Sequence, residues 1–280
     1  SMGTSGSIPS GGSNVAVLSI NGNDSQTNET YGSVLTPADS RVTWEKTTTY
    51  NIGLDWSILN YRIKGSIDVY RKNTDNLLWY NMVTNPTYGW TNLALNGATM
   101  KGNGVDLGIT GVVIDMKDFS WSSTFNFSYN TNEVTDSRFT KPTAASLVST
   151  STPIVGHSLD YMYAYRWAGL DNKGQSQIYD SKGEIVSSSV GANKLTADDV
   201  KYMGRTTAPY FGGFTNMFQY KNLSLNVHIT YAIGHVFRRP SIDNYPQYVG
   251  TYSGAIGTQK DLAKRWQKEG DEATTNVPGL

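Results

Sequence analysis

The sequence contains no cysteine and few charges, and it has no long apolar run. The absence of cysteine excludes disulfide frameworks and thiolate metal sites. Lysine plus arginine and aspartate plus glutamate both number 23, so net charge gives no sign of nucleic-acid binding. Charged residues make up 16%, below the usual share of about a quarter. No stretch approaches the roughly 18 apolar residues of a transmembrane helix, and we expect no signal peptide at the start.

Motifs that carry catalysis or bind cofactors are also missing. The sequence has no His-Glu-x-x-His, no Gly-x-Ser-x-Gly and no P-loop. The Gly-x-Gly at 102–104 opens a predicted strand rather than a helix, which disfavours a dinucleotide site. Asp55, Asp68 and Asp106 fall on polar strand faces, where solvated charge is the default and a glycosidase-type carboxylate pair stays open. We predict no enzyme, no cofactor and no metal site.

Aromatic and small polar residues alternate through residues 119–130, which read FSWSSTFNFSYN. Successive side chains of a β-strand point to opposite faces, so this pattern predicts a strand with one apolar and one polar face. Such a strand suits a soluble antiparallel sheet packed on a core. It also suits a membrane-spanning strand, which needs about 9–11 residues of this alternation. Taken alone, the segment favours the soluble interpretation.

Similar alternation recurs along the chain, and it is grouped into hairpins. Predicted strands cover 50–58, 62–71, 104–113, 119–130, 210–220 and 223–233. Long segments that break the alternation lie at 72–99, 131–208 and 237–280, and we predict loops there. Minor features are expected within the irregular segments: a loop at 1–43 with a short strand at 15–20, a small hairpin around 175–179 and a short helix at 259–268.

Short turns lie at one end of every predicted hairpin and long loops lie at the other. Outer-membrane barrels have this asymmetry, whereas soluble sandwiches distribute loop lengths over both ends. Tyr61, Phe119, Trp121 and Tyr220 lie near the short turns, as in the aromatic girdle of a membrane protein. We therefore predict an all-β fold of antiparallel strands from a transmembrane β-barrel with long extracellular loops. The alternative is a soluble β-rich carbohydrate-binding or adhesin module. The side chains predicted to face lipid are Tyr50, Ile52, Leu54, Trp56, Phe125, Phe127, Leu225, Val227 and Ile229.

Six blocks of the sequence resemble the SusC/RagA family of TonB-dependent outer-membrane transporters, and they follow the family order. These blocks are 44–78, 101–111, 118–134, 155–174, 202–234 and 265–272. The resemblance implies that residues 1–280 form part of the C-terminal half of a barrel of about 22 strands. It also leads us to expect neither the plug domain, nor the TonB box, nor the last strands of the barrel in this sequence.

The resemblance further implies active import across the outer membrane of a Gram-negative bacterium of the Bacteroidetes type. The implied cargo is a large nutrient, either a glycan oligosaccharide or a peptide. The implied partners are a SusD-like surface lipoprotein, the TonB complex acting through an N-terminal part, and outer-membrane lipid, with no nucleic acid.

Aromatic residues in the predicted loops are the candidates for contact with cargo. Tyrosine and tryptophan offer both an apolar face and a polar group, which suits sugars. Alternatively, these residues pack the loops or contact the partner lipoprotein. The candidates are Trp79, Tyr80, Tyr88, Trp90, Tyr161, Tyr163, Tyr165 and Trp167.

Overall fold

The computed structural model describes residues 2–7, 16–36, 42–83, 92–138, 142–149, 152–187, 195–239 and 260–279. Within these ranges the chain is almost entirely β-structure. The strands are β1 (Met2–Ser7), β2 (Val17–Asn23), β3 (Thr30–Thr36), β4 (Glu45–Ile58), β5 (Ile63–Val83), β6 (Asn92–Asp115), β7 (Phe119–Ser137), β8 (Tyr161–Leu170), β9 (Ser176–Tyr179), β10 (Ile185–Ser187), β11 (Val200–Arg205), β12 (Tyr210–Tyr220) and β13 (Leu223–Ile233).

Helical structure in the described ranges is short. It comprises α1 (Ala144–Ser149) and 3-10 turns at Ala197–Asp199, Lys260–Lys264 and Asp271–Ala273. None of these helices is long and apolar enough to cross a membrane.

The chain divides into two compact units. The first comprises 1–140, 153–159 and 208–234, and the second comprises 141–152, 160–207 and 235–280.

The first unit is built on a seven-stranded antiparallel sheet. Its strand order is β1-β4-β5-β6-β7-β12-β13, and β2 and β3 form a separate hairpin. Short connections at 59–62, 116–118 and 221–222 join β4 to β5, β6 to β7 and β12 to β13. They lie at one end of the sheet because β4, β6 and β12 run in the same direction in this alternating order, and each short connection follows one of them. The predicted all-β antiparallel fold is therefore confirmed, and β12 and β13 have the predicted bounds.

The predicted loop at 72–99 is wrong over most of its length. β5 continues to Val83 and β6 already begins at Asn92, while residues 84–91 lie outside the described part of the chain. The pairing of β5 with β6 shifts register three times between Thr74 and Met82. Each irregularity changes which face the following side chains occupy, so the alternation disappears from the sequence although the strands continue.

The prediction for residues 1–43 is also wrong, since these residues contribute three strands. β1 pairs with the first half of β4, so β4 begins at Glu45 rather than at residue 50. The predicted strand at 15–20 corresponds to β2, which pairs with β3. These strands are rich in Gly, Ser, Asn and Thr, and their composition therefore resembles that of a loop.

A small core lies in the first unit where β5, β6 and β7 extend beyond the alternating segments. Leu77, Ala98 and Val134 are buried together, and Leu159 packs against them. The segment 153–159 is held at the end of β7 by hydrogen bonds. The Val134 backbone N–H donates to the His157 carbonyl at 2.8 Å, and the Leu159 N–H donates to the Asn132 side-chain carbonyl at 3.0 Å.

The second unit contains a four-stranded antiparallel sheet with the order β10-β9-β8-β11. The predicted loop at 131–208 is therefore wrong as well, because it contains the end of β7 and these four strands. The small hairpin expected around 175–179 corresponds to β9, which pairs with both β8 and β10. In the tail, the helix expected at 259–268 is only the 3-10 turn Lys260–Lys264.

Candidate functional site

The strand register places the predicted apolar residues on a single face of the seven-stranded sheet. From β4 to β13 the directly opposed residues on this face run Leu54, Ile67, Leu107, Phe127, Gly212 and Tyr231. The neighbouring row runs Ile52, Val69, Val105, Tyr129, Tyr210 and Ile233. Opposed residues in a ladder share a face, so alternation read separately from each strand becomes one surface. We name this surface, from β4 to β13, the apolar face.

The apolar face is open rather than packed. Ile52 is 81% exposed, Leu54 62% and Leu225 59%. Aromatic rings cover part of it, with Trp121 stacked on Phe218 at 5.6 Å and Tyr129 stacked on Tyr210 at 5.1 Å between ring centroids. Soluble monomers rarely expose a contiguous apolar patch above a few hundred Å². This surface requires an apolar medium or a partner.

The nine residues predicted to face lipid all lie on this apolar face by register. Trp56 is half-buried because its ring lies across Gly65 of β5, where a Cβ atom would overlap it. Tyr231 similarly lies over Gly212 and donates a hydrogen bond to the Asn126 carbonyl at 3.0 Å. Aromatic side chains of neighbouring strands therefore cover these two glycines, which have no side chains of their own. The assignment of these residues to a lipid contact stays a prediction.

Asn216 is a polar residue on the apolar face, and its side-chain carbonyl is hydrogen-bonded to neighbouring side chains. The Asn216 side-chain carbonyl accepts hydrogen bonds from the Trp121 indole N–H at 3.0 Å and from the Ser123 hydroxyl. Asn216 is buried beneath these neighbours. A satisfied polar group is compatible with an apolar environment, whereas an unsatisfied one would be costly there.

The opposite face of the same sheet is polar and hydrogen-bonded between strands. Asn51 donates to Asp68 at 2.9 Å, and the hydroxyls of Thr110 and Thr124 are 3.1 Å apart. The Thr215 hydroxyl lies 2.6 Å from Nδ1 of His228, so this histidine is hydrogen-bonded on the polar face. A cavity of about 500 Å³ lies on the sheet near the short turns. Its lining includes Asp55, Ser57, Lys64, Ser66, Thr110 and Asn126.

The predicted cargo-contacting residues fall into two groups. Trp79 lies half-buried on β5, whereas the side chain of Tyr80 and the whole of Tyr88 and Trp90 lie outside the described residues. The other four, Tyr161, Tyr163, Tyr165 and Trp167, alternate along β8 and so share one face of the second unit's sheet.

Two of the β8 tyrosines pack within the second unit, and a third tyrosine joins them. Tyr161 is only 4% exposed, its ring meets Tyr163 edge-on at 5.4 Å, and its hydroxyl donates to the Thr152 carbonyl at 2.7 Å. Burial raises the pKa of Tyr161 to about 12, and the neighbouring Tyr163 adds to this rise. Tyr163 in turn meets Tyr202 of β11 at 5.6 Å.

The exposed members of this aromatic row are Trp167 at 45% and Tyr202 at 40%. Sequence reasoning missed Tyr202 because it lies within the predicted loop 131–208, and β11 is too short for its alternation to be recognised. It also missed the Arg205–Asp160 ion pair, which links the two strands at one end of the β8–β11 pairing at 3.2 Å. Within the described part of the chain, no group of three histidine, aspartate or glutamate residues is placed to hold a metal ion.

No family model matches the chain. Individual curated proteins do match it. TonB-dependent receptor P3 of Formosa agariphila is 27% identical over 264 residues, covering 88% of this chain and 25% of the receptor. TonB-dependent receptor SusC of Bacteroides thetaiotaomicron is 27% identical over 237 residues, covering 79% of this chain and 22% of SusC. The chain therefore spans about a quarter of the length of these curated relatives.

Solved structures give the same correspondence. The RagAB peptide transporter superposes on the whole chain with a TM-score of 0.71 and 26% identity, over 30% of the transporter chain. The "open-open" state of the RagAB peptide importer matches with the same TM-score and identity. These relatives are receptors and transporters, which confirms the prediction that the chain is not an enzyme.

Proposed function

Because the chain belongs to the SusC/RagA family of TonB-dependent receptors, we propose that it forms part of the wall of an outer-membrane β-barrel that imports nutrients. In this proposal residues 1–280 are a segment of the barrel domain, and the second unit belongs to its extracellular loops. The location is the outer membrane of a Bacteroidetes-like, Gram-negative bacterium.

The continuous apolar face is the observation that carries this proposal. It runs across six neighbouring strands, and the polar side chains lie on the opposite face of the same sheet. A transmembrane barrel presents apolar residues to lipid and polar residues to its interior. The alternative soluble module would leave the exposed Ile52, Leu225 and Ile229 in water, which promotes aggregation.

A pair of arginine substitutions on adjacent residues of β13 tests the orientation of the sheet. Ile229 is on the apolar face opposite Phe214, whereas Thr230 is on the polar face opposite Gly213. In the full-length receptor, Ile229→Arg should destabilise the barrel by about 2–4 kcal/mol, because it places a charge near the middle of the membrane. The measurement is the fraction of receptor that is folded in the outer membrane, judged by its heat-modifiable electrophoretic mobility.

Thr230→Arg is the matched control, since it adds the same side chain one residue away and leaves the apolar face unchanged. We expect its folded fraction to stay close to that of the parent receptor. Equal loss at both positions, or tolerance of both, would contradict the assignment of the apolar face to lipid.

The proposed cargo is a large nutrient, either a peptide or a glycan oligosaccharide. Peptide transport is known for the RagAB relative, and the polar sheet face with its uncharged hydroxyls and amides suits a hydrated path for either class. The proposed partners are a SusD-like lipoprotein at the extracellular side, the TonB complex as the energy source, and outer-membrane lipid.

Trp167 and Tyr202 are the side chains in the second unit that we propose for direct cargo contact. Their exposed rings offer the apolar faces that sugars and apolar peptide side chains both use. Tyr163 and Tyr165 are half-buried on the same strand, and we propose that with Tyr161 they support this surface. Trp79, Tyr80, Tyr88 and Trp90 remain proposed contacts from the sequence.

A further inference from the structure

Each of the three short connections of the first unit carries one cation next to an aromatic residue. Tyr61 precedes Arg62 between β4 and β5, and Tyr220 precedes Lys221 between β12 and β13. Between β6 and β7, Lys117 lies two residues before Phe119. Lys64 adds a fourth cation at the start of β5, where it lies on the polar face opposite Ser57 and Thr110. We name these four cations and their aromatic neighbours the short-turn rim.

The cations of the short-turn rim are exposed and free of ion pairs with any described carboxylate. Two of them lie over tyrosine rings, with Nζ of Lys221 at 5.4 Å from the Tyr220 centroid and Nζ of Lys64 at 5.8 Å from the Tyr61 centroid. Such contacts place an ammonium beside an amphipathic ring and leave its N–H groups available for another acceptor.

Carboxylates at this end of the sheet do not cancel the positive charge. The relevant charges are those in the three connections and in the two strand residues that flank each connection on either side. This set contains four cations, and its carboxylates are Asp115 and Asp118 alone. The connections are two strands apart, so successive cations are spaced by about 10 Å across the sheet. The rim therefore presents separate positive positions along one line.

Arg62 also lies at a cavity of about 340 Å³, lined by Asn60, Tyr61, Arg62, Val112 and Asp115. Its Nη2 atom donates to the carbonyls of Val112 and Val113, both at 3.5 Å, which holds the guanidinium at the ends of β5 and β6. A guanidinium has five N–H donors, so the remaining donors can bind an anion.

We infer that Arg62, Lys117 and Lys221 of the short-turn rim bind the phosphate groups of anionic phospholipids in the membrane leaflet at this end of the barrel. This inference rests on the proposed function, since it requires the apolar face to lie in lipid. The rim continues the apolar face directly, because Tyr220 and Phe119 are the last residues of that face before the connections. Acyl chains on the apolar face would therefore carry their headgroups to the level of Arg62, Lys117 and Lys221, where cations attract anionic lipid.

The test uses the purified full-length receptor, delipidated in a neutral detergent and titrated with phosphatidylglycerol or phosphatidylcholine. Bound lipids are counted by native mass spectrometry. The parent receptor should bind phosphatidylglycerol more tightly than phosphatidylcholine. The triple variant Arg62→Gln, Lys117→Gln, Lys221→Gln should bind phosphatidylglycerol roughly 10- to 100-fold more weakly than the parent does. Phosphatidylcholine binding should change little.

The matched control removes three exposed cations of the second unit, through Lys173→Gln, Lys182→Gln and Lys201→Gln, and should keep the preference. A charge-preserving variant, Arg62→Lys with Lys117→Arg and Lys221→Arg, should keep it too, and this variant remains informative if the glutamine triple does not fold. Equal binding of both lipids by the parent, equal loss in the control, or loss in the charge-preserving variant would overturn the inference. Absence of the receptor from the outer membrane would instead refute the proposed function itself.

Discussion

Asp199 joins two turns of the second unit through its carboxylate. One oxygen accepts the Ser181 backbone N–H at 2.6 Å, and the other accepts the backbone N–H and the hydroxyl of Thr196 at 2.6 and 2.8 Å. The Thr196 and Ser181 N–H donors hold the pKa of Asp199 well below its usual range. Because the folded-state pKa is depressed, this stabilisation is present above the ordinary aspartate pKa of about 4. It is lost as the pH falls through the lower folded-state value.

Asp199→Asn should loosen both turns at neutral pH, because hydrogen bonds to a charged acceptor contribute about 1.5–3 kcal/mol. We expect amide hydrogen exchange at Ser181 and Thr196 to become roughly 10- to 100-fold faster in the full-length receptor, with the difference shrinking below about pH 4. Asp198→Asn is the control, since this neighbouring carboxylate is exposed. If these amides exchange equally fast in the parent receptor and in the Asp199 variant at pH 7, the Asp199 carboxylate does not stabilise the two turns.

Individual strands differ in how well the sequence predicts them. β12 and β13 follow the prediction because their alternation is unbroken and the two-residue connection Lys221-Asn222 separates them. β5 beyond Thr74 and the first part of β6 were missed because bulges change the phase of the side chains, which places Leu77 and Leu78 in succession in a buried core. β1 and β11 are short and gain their order from pairing with β4 and β8. Pairing of this kind is set by distant residues and leaves no local periodic signal.

Strand pairing in the middle of the sheet depends on Gly212 and much less on its neighbour Gly213. A Cβ atom at residue 212 would overlap the Asn126 carbonyl oxygen of β7 and lie 2.6 Å from the Tyr231 hydroxyl. Gly212→Ala should therefore separate β7 from β12, break the Tyr231–Asn126 hydrogen bond and destabilise the sheet by about 1–3 kcal/mol. The measurement is the temperature at which the full-length receptor loses its folded electrophoretic mobility.

Gly213→Ala provides the comparison one residue along the same strand. Its added Cβ would first meet the His228 ring at 3.3 Å, on a side chain that can adjust slightly. We expect a smaller change in unfolding temperature than for residue 212. If the two alanine variants unfold at the same temperature, close packing of β7 against β12 at Gly212 is not what stabilises this pairing.

At the scale of the whole chain, the two units have different surface chemistry. The seven-stranded sheet divides apolar from polar side chains across its thickness, whereas the second unit has its own buried residues, including Leu147, Leu170 and Ile178. A unit with its own core can vary in sequence without altering the apolar face. Recognition commonly resides in such insertions carried by a rigid scaffold. Cargo contact by residues of the segment 131–208 stays a prediction from the sequence, although this segment proved to contain a sheet rather than a loop.

If the second unit selects the cargo, exchange of its central segment between related receptors should transfer the preference. Residues 160–207 form β8 to β11 with the Trp167 and Tyr202 rings, so we propose to replace this segment with that of a homologue of different cargo. Growth on single peptides or single glycans should then follow the donor of the segment. Exchange of the β2–β3 hairpin, residues 17–36, is the control and should leave the preference unchanged. If growth still follows the receptor that supplies the barrel, selection by this segment is refuted, and the cargo must be chosen elsewhere in the receptor or by its lipoprotein partner.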